Sequence, residues 1–328
     1  MRFAVTGATG FVGSHLVDLL VGKGHEVVCP VRDPRRSGYA SGFDVDFVTY
    51  LEFERLVGQG GRFDAVVHAA GATRALNYEE YCTSNVGLTT RLVELFASAA
   101  PGHAPRFVLI SSQAAAGPSG NGCAAVNESD PPNPISLYGR SKLEAERAVE
   151  AYRERVPFTI IRPPVVFGPR DKDVLNVFKT ARYGLAPYLA GADRLVSVVY
   201  VEDLVEGILT AALSESAVGR TYFMADAAPI MWRRFCTTVA DALGKKPLAI
   251  PVPVLLMSAL GRAGDLIGRI SGRPVLLRSE KVLEMKQAAW VCSVERARIE
   301  LGWVASTPLN EAVRKTAEWY VREGRLKA

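Results

Sequence analysis

Apolar runs and amphipathic runs alternate along the first half of the chain. Short apolar segments at 3–6, 25–31, 64–69, 106–111 and 158–162 are typical of strands. Helical spacing of apolar residues predicts helices over 11–21, 85–100 and 138–154. Strands separated by helices pair in parallel, and nearly continuous apolar strands suit a sheet that is covered on both faces. The pattern therefore predicts an α/β fold with a doubly wound parallel sheet.

The pattern loosens after Arg162, where prolines gather at 163, 164 and 169. Residues 222–328 are mostly helical in spacing. We expect residues 1–162 to form the sheet domain and 163–328 to form mainly a smaller, mostly helical lobe that binds substrate. About 191–221 and the final helix, about 308–323, should return to the first domain. Open α/β sheets bind ligands at the carboxyl ends of their strands, so the second lobe should cover that edge.

Three glycines follow the first strand, at Gly7, Gly10 and Gly13. Gly7 allows a tight strand-to-helix turn, Gly10 leaves room for a pyrophosphate at the helix N-terminus, and Gly13 lets the helix lie close to the strand. Because the triplet joins an apolar strand to an amphipathic helix, it predicts a Rossmann-type dinucleotide site; a tight turn without ligand is the alternative. The expected binding residues of this loop are Gly7, Thr9, Gly10, Phe11 and Val12.

The end of the second strand bears on the choice between NAD and NADP. An NAD-binding unit usually places Asp or Glu about 20 residues past the loop, where it bonds the ribose hydroxyls. Here Val31 and Arg32 stand at that point, and Arg36 follows soon after. Guanidinium groups suit a 2′-phosphate, so we expect Arg32 and Arg36 to bind NADP. Asp33 lies one or two positions late and keeps NAD as the alternative.

Tyr138 and Lys142 are four residues apart on a predicted helix and therefore share one face. Reduction of a carbonyl by hydride leaves an oxyanion that needs a proton. A free phenol has a pKa of about 10, and a nearby ammonium, together with the cationic nicotinamide of the oxidised cofactor, would lower it towards neutrality. Ser112 ends a predicted strand at the same edge and would hydrogen-bond the substrate oxygen. We expect Ser112, Tyr138 and Lys142 to be catalytic; the alternative is that Tyr138 and Lys142 only pack and solvate a helix.

Composition narrows the classes of partner. The net charge of the 328-residue chain is +5, but the basic clusters are only two residues long, which argues against a nucleic-acid surface. No apolar stretch is long enough for a membrane span, and the N-terminus does not read as a signal peptide. The histidines are too dispersed to suggest a metal. The number of cysteines is odd, and no two of them have C-x-x-C spacing. Both observations favour free thiols in a reducing cytoplasm. Those cysteines are Cys29, Cys82, Cys123, Cys236 and Cys292.

A set of motifs runs almost from end to end of the chain. It comprises the glycine loop, His68-Ala69-Ala70-Gly71, Asn85-Val86, Ser111-Ser112, Tyr138-Gly139-x-Ser141-Lys142, Arg162-Pro163, Phe167-Gly168-Pro169, Tyr200-Val201-Glu202-Asp203 and Leu301-Gly302-Trp303. Together these motifs resemble the extended short-chain dehydrogenase/reductase family, within the NAD-dependent epimerase/dehydratase superfamily. The resemblance implies catalysis by Ser112, Tyr138 and Lys142. It also implies a homodimer built through helices like 85–100 and 138–154.

The resemblance further implies a set of cofactor contacts beyond the glycine loop. Asn85 would sit beside the active site, and Pro163 and Val165 would lie near the nicotinamide amide. The implied contacts are Ala69, Ala70, Gly71, Asn85, Ser111, Tyr138, Lys142, Pro163 and Val165.

The departures from the family pattern bear on the substrate. Ala116-Gly117 stand where a tyrosine usually follows the serine pair, and Val31-Arg32 look like the dihydroflavonol-reductase and 3β-hydroxysteroid-dehydrogenase branches. We expect an oxidoreductase that transfers hydride between NAD(P) and a carbonyl or secondary alcohol of a small, moderately apolar substrate. A nucleotide-sugar epimerase or dehydratase that retains its cofactor is the alternative, and a non-catalytic cofactor-binding protein is a third. The apolar segment 254–270 has helical spacing. Three interpretations remain open for it: a core helix, a lid over the substrate, or a helix at a membrane surface.

Overall fold

The computed structural model describes residues 1–36, 38–98, 104–120, 124–191 and 193–327. Its strands in chain order are β1 (Arg2–Thr6), β2 (Glu26–Val31), β3 (Asp46–Thr49), β4 (Ala65–His68), β5 (Arg106–Ile110), β6 (Phe158–Arg162), β7 (Val165–Phe167), β8 (Leu185–Leu189), β9 (Leu195–Val196), β10 (Val198–Tyr200), β11 (Arg220–Phe223), β12 (Ile230–Met231), β13 (Leu248–Val252) and β14 (Ala289–Trp290). Seven of them form the main sheet, in the order β11-β6-β5-β4-β1-β2-β3.

The helices flank this sheet and build most of the second half of the chain. They are α1 (Phe11–Gly22), α2 (Tyr50–Gly58), α3 (Tyr78–Tyr81), α4 (Leu88–Ala97), α5 (Gln113–Ala116), α6 (Leu137–Glu150), α7 (Leu175–Ala181), α8 (Val201–Leu213), α9 (Trp232–Ala242), α10 (Val254–Ser271), α11 (Ser279–Met285), α12 (Glu295–Leu301) and α13 (Leu309–Arg322). A π-helical turn, Cys82–Gly87, joins α3 to α4.

Every ladder of the main sheet is parallel, which confirms the predicted doubly wound fold. Alternate residues of β1 point to opposite faces, so Phe3 and Val5 belong to one apolar core and Ala4 to the other. The first core receives α1, α8 and α13, and the second receives α2, α4 and α6. Chain order reverses between β4 and β1, and this reversal opens the crevice where such folds bind ligands.

The sequence pattern missed β3 and α2. The strand Asp46–Thr49 is only four residues long, lies at the edge of the sheet and keeps its side chains partly exposed, so it lacks an apolar run. The helix that follows begins with a reciprocal cap, in which the Thr49 hydroxyl accepts from the backbone N–H of Glu52 and the Glu52 carboxylate accepts from that of Thr49.

The second half, predicted from its spacing to be mostly helical, also contains short strands. Short strands pair β7 with β10, β8 with β13, and β9 with both β12 and β14. Three elements from this half pack with the sheet domain: β11 extends the main sheet beside β6, α8 packs against α1, and α13 contributes to the first core. The rest of the lobe reaches the carboxyl edge of the sheet through α10 and α11, which pack against each other.

Candidate functional site

The glycine loop between β1 and α1 is shaped by the packing of the chain at two of its three glycines. Gly7 has φ 75°, and a Cβ there would lie 2.6 Å from the backbone N of Ala70. A Cβ at Gly13 would overlap the carbonyl of Gly7. Gly10 differs, because it is exposed and its added Cβ would meet only the Gly7 carbonyl oxygen, at 3.1 Å, so its missing side chain leaves room outside the protein.

The N-terminus of α1 fits the pyrophosphate of a dinucleotide. Gly10 is the N-cap residue and has no side chain to cap the helix. The first turn of α1, which the structure describes in full, contains no acidic residue. Free backbone N–H groups and the positive end of the helix dipole therefore face outward. Phe11 and Val12 begin this turn. Thr9, just before it, packs against Gly38. These residues would hold the cofactor through its phosphates.

Arg32 and Arg36, the proposed phosphate ligands, lie in the loop that follows β2 and are exposed. Asp33, which kept NAD open as an alternative, is bonded by its neighbours. Its carboxylate accepts from the Nε and Nη2 atoms of Arg35 at 2.9 and 3.2 Å, and it also pairs with Arg36 at 3.6 Å. These arginine contacts lower the pKa of Asp33. The structure therefore brings the exposed Arg32, and an ionised Asp33 that is paired with its own neighbours, to the end of β2.

The segment after β4 converges on the predicted catalytic helix. A Cβ on Gly71 would lie 2.8 Å from Asn85 Oδ1 and 3.8 Å from Lys142 Nζ. The buried Asn85 amide accepts from the backbone N of Ala72 at 2.7 Å and donates to Ser141 Oγ at 2.9 Å. Asn85 thus joins the β4 loop to α6, beside Ala69 and Ala70, which are partly exposed at the strand end.

His68, at the end of β4, is a fully buried structural residue. Its Nδ1 lies 2.6 Å from Thr6 Oγ1, and its Nε2 lies 2.9 Å from Thr89 Oγ1. Burial, and secondarily the charge of Lys142, lowers the pKa of His68 to about 3, so the ring is neutral. Thr89 in turn donates to the Asn85 carbonyl at 2.5 Å. The ring therefore connects the glycine-loop strand to the helix that carries Asn85.

Two close contacts position the three residues predicted to be catalytic, Ser112, Tyr138 and Lys142. Ser112 caps α5 by accepting from the backbone N of Ala114 at 3.1 Å. Gly139, on α6, allows close contact because a Cβ there would overlap the Ala114 carbonyl. Ser112 lies close enough to Tyr138 to lower the pKa of its hydroxyl. One turn later, the buried Lys142 ammonium donates to the Ile110 carbonyl at 2.6 Å. The structure thus brings Ser112, Tyr138 and Lys142 together.

Burial shifts the pKa values of both Tyr138 and Lys142. Burial raises the pKa of Tyr138 to about 12, although the Ser112 hydrogen bond lowers it and the charge of Glu284 adds to the increase. Burial lowers the pKa of Lys142 to about 8, against a raising effect of Glu146. Burial is therefore the largest influence on the pKa of both groups.

Ser111 faces away from the trio. Its hydroxyl donates to the Glu146 carboxylate, which also accepts from Arg162 Nε and Nη2 at 2.9 and 2.6 Å. All three side chains are buried. The hydroxyl predicted to contact cofactor is thus committed to a buried ion pair beneath the site. Next to it, Pro163 is buried and its carbonyl accepts from Gln113, while Val165 begins β7 and is partly exposed.

Residues of the second lobe reach the trio, and sequence reasoning missed them. Glu280 Oε1, on α11, accepts from the backbone N of Tyr138 at 2.9 Å. Glu284, one turn further along, raises the pKa of Tyr138. The buried Tyr81 ring lies 5.9 Å from the Tyr138 ring. No local motif signals these residues, because Glu280 is 142 positions from Tyr138.

Other candidates from the sequence have structural surroundings. The Asp203 carboxylate, in the first turn of α8, accepts from the backbone and hydroxyl groups of Ser306 and Thr307 and so fixes the segment before α13. Within the described ranges the cysteines Cys29, Cys82, Cys236 and Cys292 carry free thiols. Cys123 lies outside these ranges. No group of three or more metal-ligating side chains occurs among the described residues. In that same part of the chain, the helices are all too short or too polar to cross a membrane.

Comparisons with known proteins agree with this architecture. The ceramide reductase of Caulobacter vibrioides is 27% identical over 328 residues, which cover 98% of this chain and 95% of the relative. The UDP-glucose 4-epimerase of Vibrio cholerae is 26% identical over 334 residues, which cover 97% and 95%. The solved structure of MoeE5 with UDP-glucose and NAD has a TM-score of 0.76 at 22% identity, covers 98% of this chain and 99% of its own, and shows a shared fold.

A protein-family model matches about two thirds of the chain. The model of the NAD dependent epimerase/dehydratase family matches residues 3–225, which include the glycine loop, the Ser112 strand end and the Tyr138–Lys142 helix. This match confirms the resemblance drawn from the motifs. The chain therefore belongs to the NAD-dependent epimerase/dehydratase family, whose members are NAD-dependent oxidoreductases, epimerases and dehydratases.

Proposed function

We propose that this protein is an NADP-preferring oxidoreductase that interconverts a carbonyl and a secondary alcohol on a neutral, moderately apolar molecule. The observation that carries the proposal is the acidic helix beside the catalytic tyrosine. Glu280 bonds the backbone of Tyr138, and the charge of Glu284 acts on its hydroxyl. Lys281 pairs with Glu284 at 2.9 Å, so the Glu280 carboxylate is the main charge that disfavours an anionic group beside Tyr138.

The arginines nearest to this edge already have partners. Arg278 pairs with Asp265 at 3.0 Å and donates to the carbonyls of Ala75 and Leu76. Arg74 pairs with Asp173. A nucleotide sugar carries a diphosphate, whose charge calls for free cationic donors directed at the substrate. The exposed Arg262 and Arg269 of α10 lie off the glycine face that docks this helix beside the site. Charge at this site therefore favours the reductase over the nucleotide-sugar epimerase.

The trio has a clear division of labour in this reaction. When bound, the nicotinamide ring supplies or accepts the hydride. Ser112 donates a hydrogen bond to the substrate oxygen and orients it, and the Tyr138 hydroxyl gives that oxygen its proton during reduction or takes it during oxidation. Lys142, held by the Ile110 carbonyl, supplies a cationic charge that favours the phenolate.

The similar proteins include one that fits each of the two candidate functions. The full-length relative named ceramide reductase fits the proposal, and the full-length relative named UDP-glucose 4-epimerase fits the alternative. The alternative uses the same trio but keeps the cofactor bound and regenerates it in each cycle. The two functions differ in whether substrate turnover consumes NADPH.

Turnover separates the two functions directly. The assay follows NADPH absorbance with straight-chain 2-alkanones of increasing length, and in parallel with UDP-glucose, whose product is resolved by chromatography. We expect NADPH consumption that rises with chain length. Tyr138→Phe should remove it, and Tyr183→Phe should retain it, because Tyr183 is 70% exposed on the second lobe. Conversion of UDP-glucose to its epimer without net NADPH use would contradict the proposal.

Cofactor preference rests on the exposed Arg32 and on the engagement of Asp33 by its neighbours. Calorimetric titration of stripped protein should show at least about tenfold tighter binding of NADPH than of NADH, which is about 1.4 kcal/mol. Arg32→Ala should abolish the difference. The exposed Arg55→Ala, on α2, serves as the matched control. A preference for NADH in the parent protein would contradict the assignment of Arg32.

We also propose a homodimer through α4 and α6, as the family resemblance implies. These helices pack side by side on one face of the sheet. Sedimentation velocity over a range of protein concentrations tests this arrangement, and a monomer throughout that range would contradict it.

A further inference from the structure

The helix α10, Val254–Ser271, has an inverted distribution of large and small residues. Its buried positions are glycines at 261, 264 and 268, and its large apolar residues are exposed. An ordinary core helix, one of the sequence alternatives, buries its large residues. The apolar segment is therefore not a core helix, and its large side chains face outward.

The glycines are required by the close packing of α10 on the following segment. A Cβ at Gly264 would overlap the carbonyl of Leu277, and a Cβ at Gly261 would lie 2.9 Å from the Val282 side chain. Gly268 lies near Leu76, in the loop after β4. The glycine face thus docks the helix beside the candidate site.

The opposite face of α10 is a continuous apolar surface. At 3.6 residues per turn, Leu255, Leu266 and Ile270 fall on one stripe and Leu256, Leu260 and Ile267 on the stripe next to it. Leu255 is 84% exposed and Ile270 is 78% exposed. We call these six residues the α10 apolar face. Several large side chains held together in water mark an interaction surface.

Unpaired basic residues border this face. Arg262 and Arg269 are seven positions apart, lie on one stripe along the edge of the apolar face and are exposed. Neither has an ion-pair partner in the part of the chain that the structure describes. The acidic residue of the helix, Asp265, is already bonded by Arg278 at 3.0 Å. An apolar face with a cationic edge matches an anionic lipid surface.

We propose that the α10 apolar face binds the surface of an anionic lipid bilayer, with the helix lying in the plane of the interface. The occupant is argued from charge. A symmetric contact between two copies through this face would place the unpaired Arg262 and Arg269 edges of both copies at the interface, with Asp265 already engaged. An anionic bilayer neutralises these arginines while it receives the leucine and isoleucine side chains.

This surface places the candidate site next to the bilayer. Gly268 approaches Leu76, and Arg278 bonds the Ala75 and Leu76 carbonyls, so α10 is tied to the loop that leads to Asn85. A lipid-borne carbonyl substrate then reaches the second lobe without crossing water. Binding of the bilayer itself does not depend on the proposed reaction.

Vesicle flotation tests the proposal with the full chain and without turnover. The probes are vesicles of phosphatidylcholine alone and vesicles containing phosphatidylglycerol. We expect the protein to float with the anionic vesicles. Leu266→Ser combined with Ile270→Ser should reduce the partition coefficient onto the vesicles at least about tenfold, since two large apolar side chains no longer enter the bilayer. Arg262→Gln combined with Arg269→Gln should remove the preference for phosphatidylglycerol.

The matched control is Ile299→Ser, on α12, where an isoleucine that is 69% exposed stands outside the α10 apolar face. This variant should float like the parent protein. Circular dichroism and NADPH affinity report whether each variant is folded. The proposal is overturned if the folded parent protein stays in solution with anionic vesicles, or if Ile299→Ser and the α10 variant lose binding equally.

Two further outcomes have distinct meanings. Sedimentation velocity that shows a dimer abolished by the Leu266 and Ile270 changes would assign the face to a second copy and overturn the lipid proposal. A protein that floats but turns over UDP-glucose, and no ketone, would refute the proposed function and leave membrane binding standing.

Discussion

Replacing Lys142 by methionine tests whether the site holds a desolvated ammonium. Methionine is close in length and uncharged, so the change removes the titration while it keeps most of the apolar packing. The pKa of Lys142 falls from its ordinary value of 10.5 to about 8, chiefly because of burial. Below pH 8 both the folded and the unfolded chain carry the proton, and the folded state bears the full cost of burying the charge.

The sign and size of the effect follow from proton linkage. Between pH 8 and pH 10.5 the folded chain loses the proton before the unfolded chain does, so the parent protein gains stability as the pH rises. The gain between pH 7 and pH 10 is about 2.5 kcal/mol, at 1.36 kcal/mol for each tenfold change in proton affinity. Loss of the Ile110 hydrogen bond costs the variant about 1–3 kcal/mol at every pH, so it shifts the difference without changing its slope.

The assay is urea unfolding of cofactor-free protein, followed by circular dichroism at several values between pH 7 and pH 10. The stability of Lys142→Met relative to the parent should fall by about 2.5 kcal/mol across this range. The exposed Lys179→Met, on α7, is the matched control and should run parallel to the parent. Parallel curves for Lys142→Met as well would refute the buried ammonium.

The remaining predictions concern the trio, its support and the glycine loop. Tyr138→Phe should lower kcat at least about 100-fold and leave NADPH affinity nearly unchanged, because the phenol transfers the proton without holding the phosphates. Glu146→Gln should lower the free energy of unfolding by about 3–5 kcal/mol, since it leaves the buried Arg162 without its carboxylate; replacement of both by Leu and Met should recover most of that loss. Gly13→Ala should abolish calorimetric binding of both dinucleotides, because the added Cβ overlaps the Gly7 carbonyl and displaces α1.

Local patterns made the core of the site predictable. The glycine loop is a run of neighbours in the chain, and Tyr138 and Lys142 share a helix face because of the helical repeat. The carboxyl ends of parallel strands meet at one edge, so Ser112 was expected near them, and the family resemblance implied Asn85 and the β4 loop there as well. The structure brings these residues together through Gly71, whose added Cβ would approach both Asn85 and Lys142.

Contacts between distant segments were outside the reach of such patterns. Glu280 meets Tyr138 across 142 residues, and Glu146 meets both Ser111 and Arg162. Those side chains are ordinary helix or strand residues in the sequence, with no spacing that marks them. The effect of burial on the pKa of Tyr138 was likewise outside the reach of the sequence, because the degree of burial is a property of the whole site and not of the Tyr–Lys spacing.

The division between sequence and tertiary structure has a physical basis. Apolar period, glycine positions and helix spacing act over a few residues, so they determined the parallel sheet, the dinucleotide loop and the face shared by Tyr138 and Lys142. Which face of an apolar helix is buried depends on how closely another backbone approaches it. In α10 that approach requires the glycines, so only tertiary packing decided that the leucines and isoleucines face outward.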